Sequence, residues 1–577
     1  MGEKIIRVNM TNLTSKSEEV PNEWRYLGAR GLTSTIVAKE VPPTCEPLGR
    51  YNKLVFAPGL LAATAAANSG RLSAGFKSPL TGGIKESNAG GTAAQKLERL
   101  GIKALIIEGQ PADQSKYYGI HISKDGVTIK EETELVGKGN YQVIEKLSER
   151  FVKNIGVLTI GPAGEMRMAA ANISNRDPDK GMRSHGRGGG GAVMGSKKVK
   201  FIAIDDTGAP GVTVAQPDKF KEQTRIFSRA LLDHAVTGQA LPIYGTTVLI
   251  NILNEAGGLP TKNFRYGSVE HANEISGEKL NEIITERHGV VSHGCHAGCV
   301  IKCSQVYLGP DGQYVSAGFE YETIWALGAN ACIDNLDDIS YIDHAMDDVG
   351  IDSIECANSI AVAMDAGVLG WGDGKEALRI VSEEICKGTP LGRIIGNGAV
   401  SVGRAYGITR VPSIKGQTIP AYDPRAVKGM GITYATSPMG ADHTAGYAVC
   451  QNILKVGGFV DPLSKQGQVE LSRNLQIATA AIDSCGFCIF VAFPALDIPE
   501  CFKAMFEMVN ARYGLNMSES DFIEMGKKIL KTEHEFNLAA GFTNLNDRLP
   551  EFFEEEVPPH NAVWDFSGEE IDEFWNF

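Results

Sequence analysis

The sequence carries no excess of positive charge: 56 Lys and Arg stand against 69 Asp and Glu, a formal net charge of −13. A globally basic surface for nucleic acid is excluded, because such binding rests on cations neutralising phosphates. Long apolar runs are missing too. No stretch of about 18 apolar residues occurs, so no membrane span is expected. The longest apolar run, 489–496, is interrupted by Pro494. The opening residues Met1-Gly2-Glu3-Lys4-Ile5-Ile6-Arg7 lack the apolar core of a secretory leader, and the expectation is a cytoplasmic protein. The 11 cysteines are an odd number in a long chain without an export signal, which argues against a disulfide framework.

What is present is a long, glycine-rich, globular composition. A chain of 577 residues exceeds one core, and roughly two to four domains are expected. Apolar content of 43% and charged content of 22% fit a soluble fold. The 66 glycines must serve turns or places where backbone approaches a ligand closely. Short apolar runs at 4–10, 53–58, 103–108, 156–160 and 199–205 end near Gly, Pro or Asp and predict strands, with helices at 93–100 and 141–151. Beyond residue 208 the apolar spacing becomes helical, at 217–232, 246–255, 339–349, 353–366 and 375–386. A Pro- and Gly-bearing stretch at 411–431 is followed by helices at 466–482, 498–512 and 520–538. The reading is α+β: a β-rich unit over 1–208, then mainly α-helical units over 209–415 and 416–577. No tandem repeat is visible.

Five cysteines fall in two clusters, His293-Gly-Cys295-His296-Ala-Gly-Cys299-Val-Ile-Lys-Cys303 and Asp483-Ser-Cys485-Gly-Phe-Cys488. Three close thiolates with one remote thiolate is how many 4Fe–4S clusters are held. On an ideal helix Cys295 and Cys303 would stand about 12 Å apart along the axis. Gly294 and Gly298 let the backbone wrap instead. Structural zinc more often uses two short ligand pairs, so iron–sulfur is the preferred reading over zinc or buried thiols. Cys45, Cys332, Cys356, Cys386, Cys450 and Cys501 are scattered and read as small buried hydrophobes.

Two further motifs share a form: Asp347-Asp-Val-Gly350-Ile351-Asp352 and Asp483-Ser-Cys-Gly486-Phe487-Cys488. Each follows a predicted helix, and each glycine permits a left-handed turn that presents amides and a carboxylate. Singly they read as helix C-caps; together they point to two similar halves of one ligand site. The run Arg183-Ser-His-Gly-Arg187-Gly188-Gly-Gly-Gly191 matches a dinucleotide fingerprint in form, but no apolar strand is predicted ahead of it. Ser196 precedes Lys197, so the P-loop order fails as well. What remains is either an arginine-bearing nest of amides for an anion or a tight turn beside buried backbone. The segment from Asn68 to Gly91, with Arg71 and Asn88, has the same character, as does Gly28-Ala-Arg30-Gly31-Leu32.

Together these segments resemble the aldehyde ferredoxin oxidoreductase family. The resemblance runs through the chain in order, from Gly28–Leu32, through Arg71, Ser78-Pro79-Leu80-Thr81-Gly82 and Asn88, to Arg548-Leu-Pro-Glu-Phe-Phe553. It implies a β-sandwich-like base under two helical domains, and a tungsten or molybdenum bis-pyranopterin beside one 4Fe–4S cluster. Arg71 would meet a pterin phosphate and Asn88 an Mg2+ joining the two phosphates; Arg183, Arg187 and Gly188 belong to the same anion-binding set. Asp347, Gly350, Ile351, Asp352, Asp483, Gly486, Phe487 and Cys488 would form the pterin turns. Cys295, Cys299, Cys303 and Cys488 would hold the iron. The family's first cluster position falls on His296 here, with Cys295 one residue earlier; thiolate is the commoner ligand. Glu322 and His443 would be the catalytic pair, with Glu320 as the other acid. Tyr341-x-x-His344 stands where some members carry a Glu-x-x-His metal bridge between subunits. The implied reaction is oxidation of an aldehyde, with a ferredoxin or ferredoxin-like subunit as acceptor, in a homodimer or hetero-oligomer. Two alternatives are a same-cofactor reductase of an aromatic acyl-thioester and a non-catalytic iron–sulfur electron-transfer subunit.

Overall fold

The computed structural model describes residues 3–179 and 181–577. Its first part holds two six-stranded sheets. The first contains β1 (Lys4–Asn9), β2 (Thr14–Glu19), β3 (Leu54–Pro58), β4 (Leu72–Lys77), β5 (Ile84–Ala89) and β6 (Ile102–Glu108), in the order β2-β1-β6-β3-β4-β5. The second contains β7 (Tyr117–Ser123), β8 (Gly126–Glu132), β9 (Gly156–Thr159), β10 (Ile173–Arg176), β11 (Met182–His185) and β12 (Val199–Ile204), in the order β8-β7-β12-β9-β10-β11.

The two sheets repeat one plan. In each, the first strand pairs antiparallel with the second and parallel with the last, and the remaining pairs are antiparallel. The halves share connectivity, not residues, so no tandem repeat is visible in the sequence.

Five layers result, with α1 (Ala29–Glu40), α2 (Ala93–Arg99) and α3 (Asn140–Arg150) in three of them. Alternation along β3 shows why. Leu54 and Phe56 enter the core between the sheets, where Leu97 of α2 and Val193 and Met194 of helix Gly190–Ser196 also lie. Val55 and Ala57 face the other way, toward Leu32, Ile36 and Val37 of α1. On the second sheet Val157, Phe201 and Ala203 face Val143 and Leu147 of α3. A strand buried on both faces reads as a continuous apolar run.

The glycine run does follow a strand, β11, contrary to the sequence reading. Its residues Met-Arg-Ser-His contain one apolar side chain, which hid it. The strand lies at a sheet edge, antiparallel to β10, so it still lacks the parallel pairing of a dinucleotide unit.

Helices follow, including Pro217–Asp233, Leu336–Val349, Ser353–Asp365, Gln468–Ser484, Pro499–Tyr513 and Glu519–Ala539. The helix expected at 375–386 changes at Ile380 from α to a wider turn. A three-stranded antiparallel sheet, β13 (Val290–His293), β14 (Ser304–Leu308) and β15 (Tyr314–Ala317), also lies in this region. One hydrophobic core runs through both helical regions. Helix Pro217–Asp233 packs along Pro499–Tyr513, and the amides of Ala215 and Gln216 donate to the carbonyls of Arg512 and Ala511. Of the six scattered cysteines, Cys356, Cys450 and Cys501 are buried, whereas Cys45, Cys332 and Cys386 are only partly so.

Among the described residues no single helix is long and apolar enough to cross a membrane; two strongly bent helix pairs pass by length and composition.

Candidate functional site

The two Asp-x-x-Gly turns meet the two halves of the β-rich unit in the same way. Helix Leu336–Val349 ends at Gly350, at φ 75°, and the turn after Gln468–Ser484 contains Gly486, at φ 83°. Left-handed backbone of this kind favours glycine. The carbonyl of Gly350 accepts from the amide of Asn172 at 3.0 Å, and that of Gly486 from the amide of Arg71 at 3.1 Å. Behind each turn sits another glycine. A Cβ on Gly161 would lie 2.3 Å from the Val349 carbonyl oxygen, and one on Gly59 2.2 Å from the Gly486 Cα. Gly161 follows β9 and Gly59 follows β3, matching positions in the two sheets.

Between the turns lies a cavity of about 370 Å³. Arg71, Asn88, Arg183, Arg187, Glu322, Asp347, Ile351, Asp352, His443 and Asp483 line it, together with Cys295, Cys303 and Cys488. Gly188, Gly350, Gly486, Phe487 and Cys299 are not part of this wall. Arg71 donates from Nε to the Asn88 side-chain oxygen and from Nη2 to the Asn88 carbonyl at 3.1 Å. Arg183 donates from Nε to Asp177 at 2.8 Å, while its Nη2 is buried without a hydrogen-bond partner among the described residues. Both guanidiniums suit an anion. Burial pushes the Asp347 carboxyl well above the usual carboxylate range. Burial also raises Asp483, against the pull of Arg30, which lies 3.2 Å away and holds Glu533 with its other nitrogens.

Arg187 is committed within the protein. Nε meets Asp352 at 3.3 Å, Nη1 the Ala441 carbonyl at 2.7 Å, and Nη2 Glu355 at 3.4 Å and the Thr418 carbonyl at 2.8 Å. It fastens helix Ser353–Asp365 to the segment carrying His443. Arg187→Met is expected to cost about 3–5 kcal/mol by stranding buried carboxylates. The check is the urea midpoint; an unchanged midpoint refutes this clamping role. Gly188, at φ 89°, gives passage to Lys85, whose side chain a Cβ would meet at 2.5 Å. Buried Lys85 then reaches Asp442 at 2.8 Å.

The first cysteine cluster is an irregular loop between β13 and β14, turned by Gly298 at φ 84° and Lys302 at φ 52°. Asn68 ties it to the second cluster. Its Nδ2 donates to Cys299 Sγ at 3.5 Å, its Oδ1 accepts from Val300, and its carbonyl accepts from the amide of Cys488 at 2.9 Å. Ligand atoms of Cys295, His296 and Cys299 lie within 4.8 Å of one another. His296 turns Nδ1 toward its neighbour Ala297's carbonyl, at 3.0 Å, and is not on the cavity wall. A thiol hydrogen bond between Cys295 and Cys299 raises the first and lowers the second to about 7. Burial raises Cys488 to about 11.

Glu322 lies in the first turn of the short helix Tyr321–Trp325. Its Oε2 accepts from the Ala421 amide at 3.1 Å, and its Oε1 lies 3.4 Å from His443 Nε2. Burial pushes the Glu322 carboxyl up to about 8 and the His443 imidazole down to about 4, so near neutrality both are uncharged. Asp442 is partly exposed, and Lys85 and Arg187 hold it well below the usual carboxylate range. Glu320 also lines the cavity; it is partly exposed and accepts from Thr246 at 2.8 Å. The rings of Tyr422 and Tyr447 lie 6.1 and 6.2 Å from His443, and their hydroxyls are 2.6 Å apart. His344 stacks on Tyr141 at 4.3 Å and hydrogen-bonds the Val315 carbonyl at 2.6 Å.

Sequence reasoning missed Glu86, Asn172, Asp343, Tyr422 and Tyr447 on the cavity wall. Glu86 lay inside the quoted Arg71–Asn88 segment. The two tyrosines and Asn172 carry no local signal.

Profiles described as "Aldehyde ferredoxin oxidoreductase, N-terminal domain" and "domains 2 & 3" match residues 5–206 and 223–575. The chain is 36% identical over 580 residues to a tungsten-containing aldehyde ferredoxin oxidoreductase of Thermococcus kodakarensis, covering 96% of this chain and 92% of that one. It is likewise 36% identical over 578 residues to the protein of that name from Pyrococcus horikoshii, with the same coverage. In structure it resembles a chain of the active site complex BamBC of benzoyl coenzyme A reductase in complex with 1,5 dienoyl-CoA. The TM-score is 0.80 at 18% identity, covering 99% of this chain and 92% of that one, a likeness of fold.

Proposed function

The chain belongs to the aldehyde ferredoxin oxidoreductase family, and from that premise we propose that it oxidises an aldehyde and water to a carboxylic acid, two protons and two electrons. The electrons go to a ferredoxin or a ferredoxin-like subunit. The carrying observation is the single cavity on which both Asp-x-x-Gly turns, Arg71, Arg183, three cysteines and the Glu322–His443 pair converge.

The donor set fits a bis-pyranopterin metal centre with a 4Fe–4S cluster. Five wall residues bring buried atoms without partners among the described residues: Arg183 Nη2, Asn172 Oδ1, Ser304 Oγ, Glu322 Oε1 and His443 Nδ1. Arg71 and Arg183 would hold phosphates, with Asn88 beside a bridging Mg2+. Asp347 and Asp483 would accept from the N–H edges of the pterins. Cys295, Cys299, Cys303 and Cys488 would ligate iron; the place of Cys295 on the wall supports it over His296. When bound, the tungsten or molybdenum centre supplies two-electron redox chemistry and the cluster a one-electron outlet.

The protein's own part is proton handling. Protonated Glu322 gives its proton to the aldehyde oxygen, and neutral His443 accepts a proton as water adds. Tyr422 and Tyr447 close an aromatic wall over the pair. A cytoplasmic location, and assembly as a homodimer or with a ferredoxin-like subunit, belong to the same reading.

Elemental analysis of anaerobically purified protein tests the proposal, with viologen reduction assayed under aldehyde and under an aromatic acyl-thioester. Expected are tungsten or molybdenum, about four iron per chain, and aldehyde-dependent reduction. Iron without either heavier metal, or turnover with the thioester alone, would refute it.

A further inference from the structure

Beside the cysteine loop lies a second, shallower groove, lined by Thr92, Gln95, Lys96, Arg99, Arg176 and Ala297. It is hydrogen-bonded to that loop directly. The Gly91 amide donates to the Cys295 carbonyl at 2.8 Å, and Gln95 Nε2 to the Ala297 carbonyl at 2.7 Å. Ala297 and Gly298, at the loop's tip, are exposed. The cysteine loop thus reaches solvent at the rim of this groove.

The groove is basic on an acidic protein. Lys96, Arg99 and Arg176 form its wall, and one carboxylate, Asp206, meets both Lys96 (2.5 Å) and Arg99 (3.0 Å). Among the described residues Arg176 donates to the carbonyls of Lys153 and Ile155; the carboxylate that acts on its charge, Asp177, is already held by Arg183 and His293. Exposed Lys153 adds a further cation, and exposed Lys302 lies in the loop itself; no acid occurs between His293 and Cys303. Asp179, exposed nearby in sequence, faces His293 at 3.8 Å. A local excess of cations on a chain of net charge −13 is a directional feature that steers an anionic partner to one place.

We propose that this groove docks an acidic iron–sulfur electron carrier, seating it against the loop that bears Cys295 and Cys299. The inference rests on the oxidoreductase reading and adds where the acceptor binds. The carrier takes one electron per visit, so two visits complete each aldehyde oxidation.

The test uses the holoenzyme, an acidic single-cluster ferredoxin and benzyl viologen. Arg99→Glu combined with Lys153→Glu is expected to raise the Kd for oxidised ferredoxin, and its KM as acceptor, about tenfold or more at low salt. Viologen-linked aldehyde oxidation should stay within about twofold, which also shows that the variant is folded and loaded. Wild-type binding should weaken with salt as screening sets in, and the variant's should depend on salt far less. Arg176→Gln is a milder second variant, expected to shift Kd in the same direction. An unchanged Kd in both variants, salt-independent wild-type binding, or no binding of the ferredoxin at all would overturn the docking proposal. Loss of viologen-linked activity in the wild type would instead strike the oxidoreductase reading, which the Kd does not measure.

Discussion

The Glu322→Gln enzyme is expected to turn over aldehyde about a hundred- to ten-thousandfold more slowly, the range for losing a positioned acid–base group. Its tungsten or molybdenum and iron contents should be unchanged. The side chain sits in a buried pocket where its carboxyl is pushed up to about 8, within 3.4 Å of His443. Glutamine keeps the size and can still accept from the Ala421 amide, but it cannot give up a proton. The pH profile provides an independent readout. The proposed donor must be protonated, so wild-type activity falls as pH rises through about 8. The proposed acceptor must be neutral, so activity falls as pH drops through about 4, where His443 is protonated. The variant should keep the acid limb and lose the alkaline one. Undiminished turnover, or an alkaline limb that persists, would remove Glu322 from the reaction.

Placing alanine at Gly59 or Gly161 is the second large expected effect. Each added Cβ meets backbone, not a side chain that can swing aside: the Cα and amide of Gly486 at 2.2 Å, or the carbonyl of Val349 at 2.3 Å. The turn must move away from its sheet, at a cost of about 1–3 kcal/mol or more for overpacking. It should also carry Asp483 or Asp347 with it. Gly59→Ala and Gly161→Ala are therefore expected to purify with reduced tungsten or molybdenum and to unfold at lower temperature. Gly407→Ala is the control: even at a positive φ, 70°, it has open space around its Cβ, so it should retain the metal. Full metal loading in both Gly59→Ala and Gly161→Ala would show that the close approach is not what positions the turns.

Strands were legible where both faces are buried. Leu54–Pro58 and residues 104–107 are apolar without interruption because one face meets a helix and the other the inter-sheet core. β5 was not legible. Its Lys85 and Glu86 are buried charges whose partners, Asp442 and Ser73, are remote or on another strand. α1 escaped for the opposite reason: with Arg30, Gly31, Thr33 and Ser34 all buried, it has no polar face to set a helical period. The Asp-x-x-Gly turns could be read because a left-handed glycine after a helix is a local requirement. Tyr422 and Tyr447 could not, since nothing in their neighbours marks them.

Composition, helix and strand periods, the cysteine spacings and the two acidic turns are local quantities, and the sequence alone determined them, along with the family resemblance they carry. That Asp347 and Asp483 face one cavity, that Arg187 is consumed by Asp352 and Glu355 while Arg183 keeps a nitrogen unpartnered, and that a cationic groove adjoins the cysteine loop are facts about segments far apart in the chain. Only the tertiary structure decided them, because burial and proximity, which set both pKa and pairing, are properties of the packed chain and not of any one stretch of it.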